Sequence, residues 1–388
     1  MKSRKPFALS LVAVFALAGL ALVLAGARTA DPLVTGKLVT GKVELRSIGA
    51  LEFGPDGVLF AADSIGGVVF AIDLGVGARP VGGWPEGSWR DWLAVGDLDA
   101  KLAAMLGTTP RDVYIRDLAY HAPTQTAYLS LMRGSGSTAV PVLVAISGDG
   151  TLAEVSLDDV RHAKLSIRDA PAPDALDRYG RNKRTTTITD LAFEDGELYI
   201  AGLSNEEFAS TLRRARYPFE SDAKTTSVEI YHGNHGAWET HAPIVTFMPF
   251  ELDGKSHLLA SYVCTPLVTL PTEQLASGAR VRGKTIAELG WGNVPIDMIG
   301  YEYKGEEYVL LANNQRGAMK FRAADIRAAH RRDGITSKAP DGAGVAFQSS
   351  PLGHVVQLVD MDGERVLLLA RDPGNGSLSL FARKKDLI

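Results

Sequence analysis

The chain reads as an all-β protein, a six-bladed β-propeller with short helical insertions, on three observations. Residues 188–202, ITDLAFEDGELYIAG, place two alternating apolar runs around Asp195-Gly196, the residue pair that tight hairpin turns favour. The same strand–turn–strand phrase then recurs at Ile48, Ile115, Val245, Pro295 and Val355, as in IGALEFGPDGVLFAAD and PIDMIGYEYKGEEYVLLANN. Starts fall roughly 50 to 73 residues apart, long enough for a four-stranded blade with insertions. Forty glycines and 19 prolines in 388 residues, with 46% hydrophobic content, suit many short strands joined by turns around an ample core. Residues 74–114 leave room for a seventh blade. The strand around residues 42–48 is expected to close the ring against the last blade.

The N-terminus precedes this pattern. Lys2, Arg4 and Lys5 lead an apolar run from Pro6 to Ala27 that ends Ala25-Gly26-Ala27. A basic start, an apolar middle and an A-x-A end make a secretory signal peptide, so we expect residues 1–27 to be removed, 28–40 to be a linker and 41–388 to form the propeller. The mature chain is then periplasmic or secreted; left uncleaved, the run is long enough to anchor it in a membrane. The formal charge is −4 and becomes −7 without residues 1–27, with no long basic run, which argues against nucleic acid as a partner. A single cysteine, Cys264, rules out an internal disulfide.

Several stretches interrupt the repeat. DLDAKLAAML at 97–106 has helical apolar spacing, Asp97 at the cap position, Gly107 behind it and Pro110 beyond. NEEFASTLRRARY at 205–217 is a second short helix candidate. Residues 158–187 form a polar insertion rich in Arg, Asp and Pro, read either as solvated decoration or as a binding loop. GSGS at 134–137 is a flexible turn with no helix pattern after it to make a phosphate cradle.

In a propeller the first strand of each blade lines the central channel. Its start shares a face of the disc with the end of the second strand. The strand-opening positions are Ala50, Asp117, Asp190, Phe247, Asp297 and Gln357; positions after the second strand include Asp63, Arg133, Asn205, Cys264, Asn314 and Arg371. We expect Asp63, Asp117, Arg133, Asp190, Asn205, Cys264, Asp297, Asn314 and Arg371 to gather at one channel mouth, where polar surroundings keep Asp190 charged. Three roles compete for the aspartates. Each can accept backbone N–H groups of a neighbouring blade or pair with Arg116, Arg133 or Arg371. Asp117, Asp190, Asp297 and Asn313 can instead hold a hard divalent cation such as Ca²⁺, which favours oxygen ligands. The acids and Cys264 can also perform chemistry.

The stretch GPDGVLFAADSIGGVVFAID at 54–73 resembles the NHL and SMP-30-like (gluconolactonase-type) propellers, in which a phrase such as FGPDGVLFAAD is common. The resemblance covers the blade phrase and its repetition. It implies a propeller fold and, on the SMP-30-like side, a channel metal held by a glutamate, asparagines and an aspartate. Glu52 stands near the first strand but alternates away from Leu51 and Phe53, and the remaining ligands find no match, so that site is not carried over.

Cys264 in SYVCTPLV reads as a buried core thiol, or as a nucleophile or soft-metal ligand if a cation stabilises its thiolate. YHGNHGAWETH at 231–241 holds His232, His235 and His241. Three histidines so close invite a copper or zinc reading. The stretch reads rather as a hairpin turn with incidental histidines between strands at 227–232 and 237–245, on the face opposite the aspartates, because no helix or second ligand pair fixes the geometry. No G-x-S-x-G, P-loop or H-E-x-x-H motif occurs. The function these residues support is binding of a protein, peptide or small-molecule ligand over the channel mouth. The alternatives are a metal-dependent hydrolase or lactonase of the SMP-30-like type, and, by analogy, a periplasmic redox-partner subunit.

Overall fold

In the computed structural model of the chain, residues 36–75 and 94–388 are described. The expected signal peptide, and residues 76–93 of the stretch with room for a seventh blade, lie outside them. All six repeated phrases form antiparallel hairpins. In the 188–202 phrase Asp195 and Gly196 adopt φ of 51° and 80°, the two consecutive positive values that let a two-residue turn follow the strand twist. Glu194 therefore pairs with Glu197, and the apolar faces of Asp190–Glu194 and Glu197–Leu203 stay in register.

Each hairpin belongs to a four-stranded unit. Unit I comprises Leu51–Phe53, Val58–Asp63, Val68–Asp73 and Val160–Ser166, with the short Val39–Gly41 on its outer edge. Unit II runs Val113–His121, Thr126–Arg133, Val140–Ile146 and Leu152–Glu154. Units III (Asp190–Glu194 to Lys224–His232) and IV (Thr246–Leu252 to Ala279–Glu288) join at their rims, where Lys224–His232 pairs in parallel with Ala279–Glu288. Unit V holds Pro295–Tyr303, Glu306–Asn313, Gly317–Arg322 and Gln348–Ser349; unit VI holds Val355–Asp360, Arg365–Arg371, Leu378–Lys384 and Ala94–Val95.

The innermost strands touch in a closed cycle: unit I meets III, then IV, V, VI, II and I again. The apolar core follows the same cycle. One buried cluster fills each seam, such as Phe60, Leu198 and Phe219 between I and III, or Leu102, Leu129 and Leu380 between II and VI. Sheets whose both faces are buried against neighbours, arranged round a common axis, are the architecture of a β-propeller.

Spatial order departs from chain order. The chain makes three strands of unit I and reaches the rim of unit VI at Ala94–Val95. It then builds unit II and returns through Val160–Ser166 to finish unit I. This corrects two expectations. Residues 42–48 form no strand and are held instead by Val43 N–H on the Leu157 carbonyl and by Arg46 and Ser47 on Asp63. The last unit is completed by Ala94–Val95 on Leu380 and Phe381. The 158–187 insertion, in turn, begins as a sheet strand.

Two α-helices occur among the described residues. Leu98–Leu106 lies where its spacing placed it, with Leu98, Leu102 and Leu106 buried and Gly107 at φ 64° closing it; Ala323–His330 was not anticipated. The helix expected at 205–217 is replaced by the strand Ser210–Arg216. Its RR pair explains the error: Arg213 is 1% exposed, with Nε 2.8 Å from Asp169 and its other nitrogens donating to the Thr187 and Leu203 carbonyls. A buried guanidinium with every nitrogen donating belongs to the inside of a sheet stack rather than to a surface helix. No helix among the described residues is long and apolar enough to cross a membrane.

Candidate functional site

In ring order the strand-opening positions are Ala50, Asp190, Phe247, Asp297, Gln357 and Asp117, so an aspartate stands at every second position. Each reaches across one seam. Asp117 Oδ2 accepts the Leu51 N–H of unit I at 2.6 Å, Asp190 Oδ2 the Phe247 N–H of unit IV at 2.9 Å, and Asp297 Oδ2 the Leu358 N–H of unit VI at 2.7 Å. The other oxygen of each accepts the N–H of the next residue in its own strand. Gln357 closes another seam by donating to the Arg116 carbonyl, and Ser64 closes the I–III seam through the Ile188 carbonyl. The partners of the aspartates are thus backbone amides rather than Arg116, Arg133 or Arg371.

Glu52 joins the aspartates around a channel cavity of about 210 Å³. Side chains two apart in a strand share a face, so Glu52 projects beside the opening position Ala50, one step deeper. The four side chains keep partial exposure to the channel, yet the protein around them penalises their charged forms. Burial first, then Asp190 and Asp297, push Glu52 up to about 8. Burial and Asp297 push Asp190 up to about 7 against the amides that hold it. Asp117 is raised by burial and by Asp297 and Asp190, and Asp297 by burial. Asp190 is therefore partly protonated near neutral pH, where the sequence had suggested full ionisation.

A larger cleft of about 750 Å³ opens at the mouth where units I, II and III meet. Ile48, Met132 and Ile188 give it an apolar floor, and Ser47, Tyr114, Ser135 and Thr185 give it hydroxyls. The GSGS turn forms part of its wall. Arg46 and Arg116 both line it, both are exposed, and neither guanidinium is paired with a carboxylate among the described residues. Arg184, by contrast, is spent on the Ile65, Gly66 and Pro171 carbonyls, which fastens the 167–189 loop beside the cleft.

The remaining expected mouth residues serve local structure. Asp63 is 1% exposed and accepts from Arg46, Ser47 and Gly66 N–H groups and the Ser47 hydroxyl. Arg133 donates to the Leu106 carbonyl, Arg371 to that of Gly376, and Asn205 N–H to that of Asp169. Asn314 Oδ1 accepts the Val294 N–H, and Asn313 Oδ1 those of Gln315 and Arg316. Cys264 lies at the rim of unit IV, half-buried, beside the histidine turn. That turn is on the aspartates' face, not the opposite one: the fourth strand of a unit runs antiparallel to the third and ends where the first begins.

No family model matches the chain, and no curated protein matches it. Among solved structures the chain is similar to a bifunctional GH43-CE protein of Bacteroides eggerthii, at 14% identity and a TM-score of 0.34. The match covers 70% of this chain but 32% of that one, so the chain spans about a third of its length. It is also similar to a putative oxidoreductase (glucose dehydrogenase) of Thermus thermophilus, at 13% identity and a TM-score of 0.32, over 89% of this chain and 99% of that one. An arabinanase of Bacillus subtilis matches at 15% identity and a TM-score of 0.33, over 70% and 93%. Likeness at this level assigns no ligand or reaction to this chain.

Proposed function

We propose that the chain is a six-bladed propeller, secreted or periplasmic, that binds a small carboxylate- or phosphate-bearing ligand, or a chain end carrying such a group, in the mouth cleft. The observation that carries this reading is a pair of guanidiniums, Arg46 and Arg116, without a carboxylate partner among the described residues and facing one apolar-floored cleft of about 750 Å³. Arginine forks recognise planar or tetrahedral anions through paired hydrogen bonds, and pockets of this size suit small molecules. The blade number is supported by the six seams of the closed cycle, and the compartment by the N-terminal basic–apolar–small pattern.

Calorimetric titration with a panel of mono- and dicarboxylates, sugar acids and phosphate esters tests the reading. At least one member should bind in the micromolar range, with affinity at least tenfold weaker in Arg116→Ala and weaker still with Arg46→Ala added. A panel in which only uncharged ligands bind, or affinity untouched by both substitutions, rejects it.

A second reading, hydrolysis of a ligand that reaches past the cleft into the channel cavity, draws on Glu52, which lines that cavity. A carboxyl held neutral near pH 7 can donate a proton to a leaving group. Turnover abolished by Glu52→Gln with ligand affinity intact is the result that reading requires.

A further inference from the structure

We propose that His232, His235, Cys264 and Glu288 form a binding site for a borderline-soft divalent transition metal, Zn²⁺ by ligand type, at the rim of units III and IV. The parallel pairing of the two outer strands brings their ends together: His232 closes Lys224–His232, and Glu288 closes Ala279–Glu288. Cys264 arrives from the loop after the second strand of unit IV. One donor atom from each of His232, His235 and Cys264 lies within 4.8 Å of the others, the one such grouping among the described residues. Ligand atoms of a tetrahedral zinc stand roughly 3.3–3.6 Å apart, so the three donors draw closer on binding, and Glu288, outside that grouping, joins from its place 3.7 Å from His232 Nε2.

The polar bookkeeping points into that space. Glu239 accepts a hydrogen bond from Nδ1 of His232 at 3.1 Å and from Nδ1 of His235 at 2.6 Å. One carboxylate thereby fixes both rings in the tautomer that leaves Nε2 a lone pair, the arrangement that carboxylates impose on metal-binding histidines. His232 is 2% exposed and its Nε2 has no hydrogen-bond partner; Glu288 is 0% exposed and its Oε2 has none either. These two orphaned atoms stand 3.7 Å apart. Buried polar atoms are left unpaired rarely and at a cost, and a cation between them satisfies both.

The backbone is built around the same point. Glu288 Oε1 is taken by the Gly233 N–H at 2.5 Å, which aims Oε2 toward the ring of His232. Gly233 can pass there because it lacks a Cβ, which would stand 3.0 Å from that carboxylate and 2.9 Å from Ile335. Cys264 and Thr265 both take left-handed φ, 64° and 49°, pinned by Cys264 N–H on the Asn293 carbonyl and Thr265 N–H on that of Tyr262. Two successive non-glycine residues in that region hold strain of the kind found at ligand sites. Two imidazoles, a thiolate and a carboxylate are a nitrogen–sulfur–oxygen set that suits zinc and excludes calcium or magnesium. On binding, the Cys264 thiol coordinates as thiolate and its proton is released to solvent.

The full chain, stripped with a chelator and dialysed into metal-free buffer, is titrated with Zn²⁺ and, separately, with Co²⁺. One equivalent of Zn²⁺ is expected at micromolar concentration or tighter, and Co²⁺ should give visible bands with a near-ultraviolet thiolate charge-transfer band. Cys264→Ser should remove that band and weaken Zn²⁺ at least tenfold. His235→Ala, whose ring is exposed, should weaken Zn²⁺ as much while the metal-free variant melts like the parent. Absence of a stoichiometric ion, or Zn²⁺ affinity unchanged in both variants, overturns the proposal.

Discussion

Asp117 and Leu51 are 66 residues apart in the chain and joined at 2.6 Å, carboxylate oxygen to backbone amide, across the seam between units II and I. The relationship repeats for Asp190 with Phe247 and Asp297 with Leu358. Every second seam is thus bolted by an acid from one side, which keeps the three carboxylates spread evenly round the ring.

Removing one bolt should loosen its seam. Asp190→Ala leaves the Phe247 and Leu191 amides without their acceptor, a loss of about 1–3 kcal/mol for a buried unsatisfied group. A urea midpoint lowered to match, with the circular dichroism of the folded state preserved, is the expected outcome. An unchanged midpoint means that the aspartate is not a fastening.

Glu52 gives stability a definite pH dependence. Its carboxyl sits near 8 in the folded chain against about 4.5 in the unfolded one, so between those values the folded state holds the proton more tightly. Its contribution is complete below about pH 4.5 and is lost as pH rises through 8. Asp190, raised to about 7, acts in the same direction. Denaturant titrations at pH 5.5 and 8.5 should show the parent losing stability with rising pH, and Glu52→Gln losing less by an amount on the order of a few kcal/mol. A parent and variant with parallel pH profiles contradict this.

The buried pair of Arg213 and Asp169 should be asymmetric to mutation. Asp169→Ala strands a guanidinium that is 1% exposed and should cost about 3–5 kcal/mol. Arg213→Met removes the charge along with its need for a partner and should cost less. Equal losses in the two variants, read from thermal or urea unfolding, would contradict the burial argument.

Affinity at the mouth should also respond to salt. If Arg46 and Arg116 hold an anion at an exposed cleft, raising ionic strength from about 0.01 M to 1 M shortens the screening length from about 30 Å to 3 Å and should weaken binding severalfold. The same titration on Arg116→Ala should show a shallower dependence.

Much of the fold was legible because a strand pair with its turn is a local object. The 188–202 phrase carries its alternation and its Asp-Gly turn within fifteen residues, and the other five phrases are its paraphrases. What could not be read was which strand completes which sheet. Ala94–Val95 is only two residues long, Val160–Ser166 lies far along the chain from its partner, and nothing near either in sequence names Val68–Asp73 or Leu378–Lys384 as partners. For the same reason the alternation of the aspartates was hidden, since it exists only in ring order. Glu52 was misjudged by comparing it with Leu51 and Phe53 rather than with Ala50, the channel-facing residue two positions earlier. His232 and Cys264 are 32 residues apart with no motif spacing between them, and the histidine turn was expected on the face opposite the one that carries Cys264.

The interlaced path of the first two sheets sets a timetable for synthesis. Residues 51–73 emerge early but face the ribosome with a bare edge until residue 166 has been made. The strand that seals the final sheet is already waiting before residue 100. The protein therefore cannot be assembled wedge by wedge from its N-terminus. Its longest-range pairing joins residues 94–95 to residues 380–381, so a chain truncated anywhere before residue 378 is left with exposed rims rather than with a smaller finished ring.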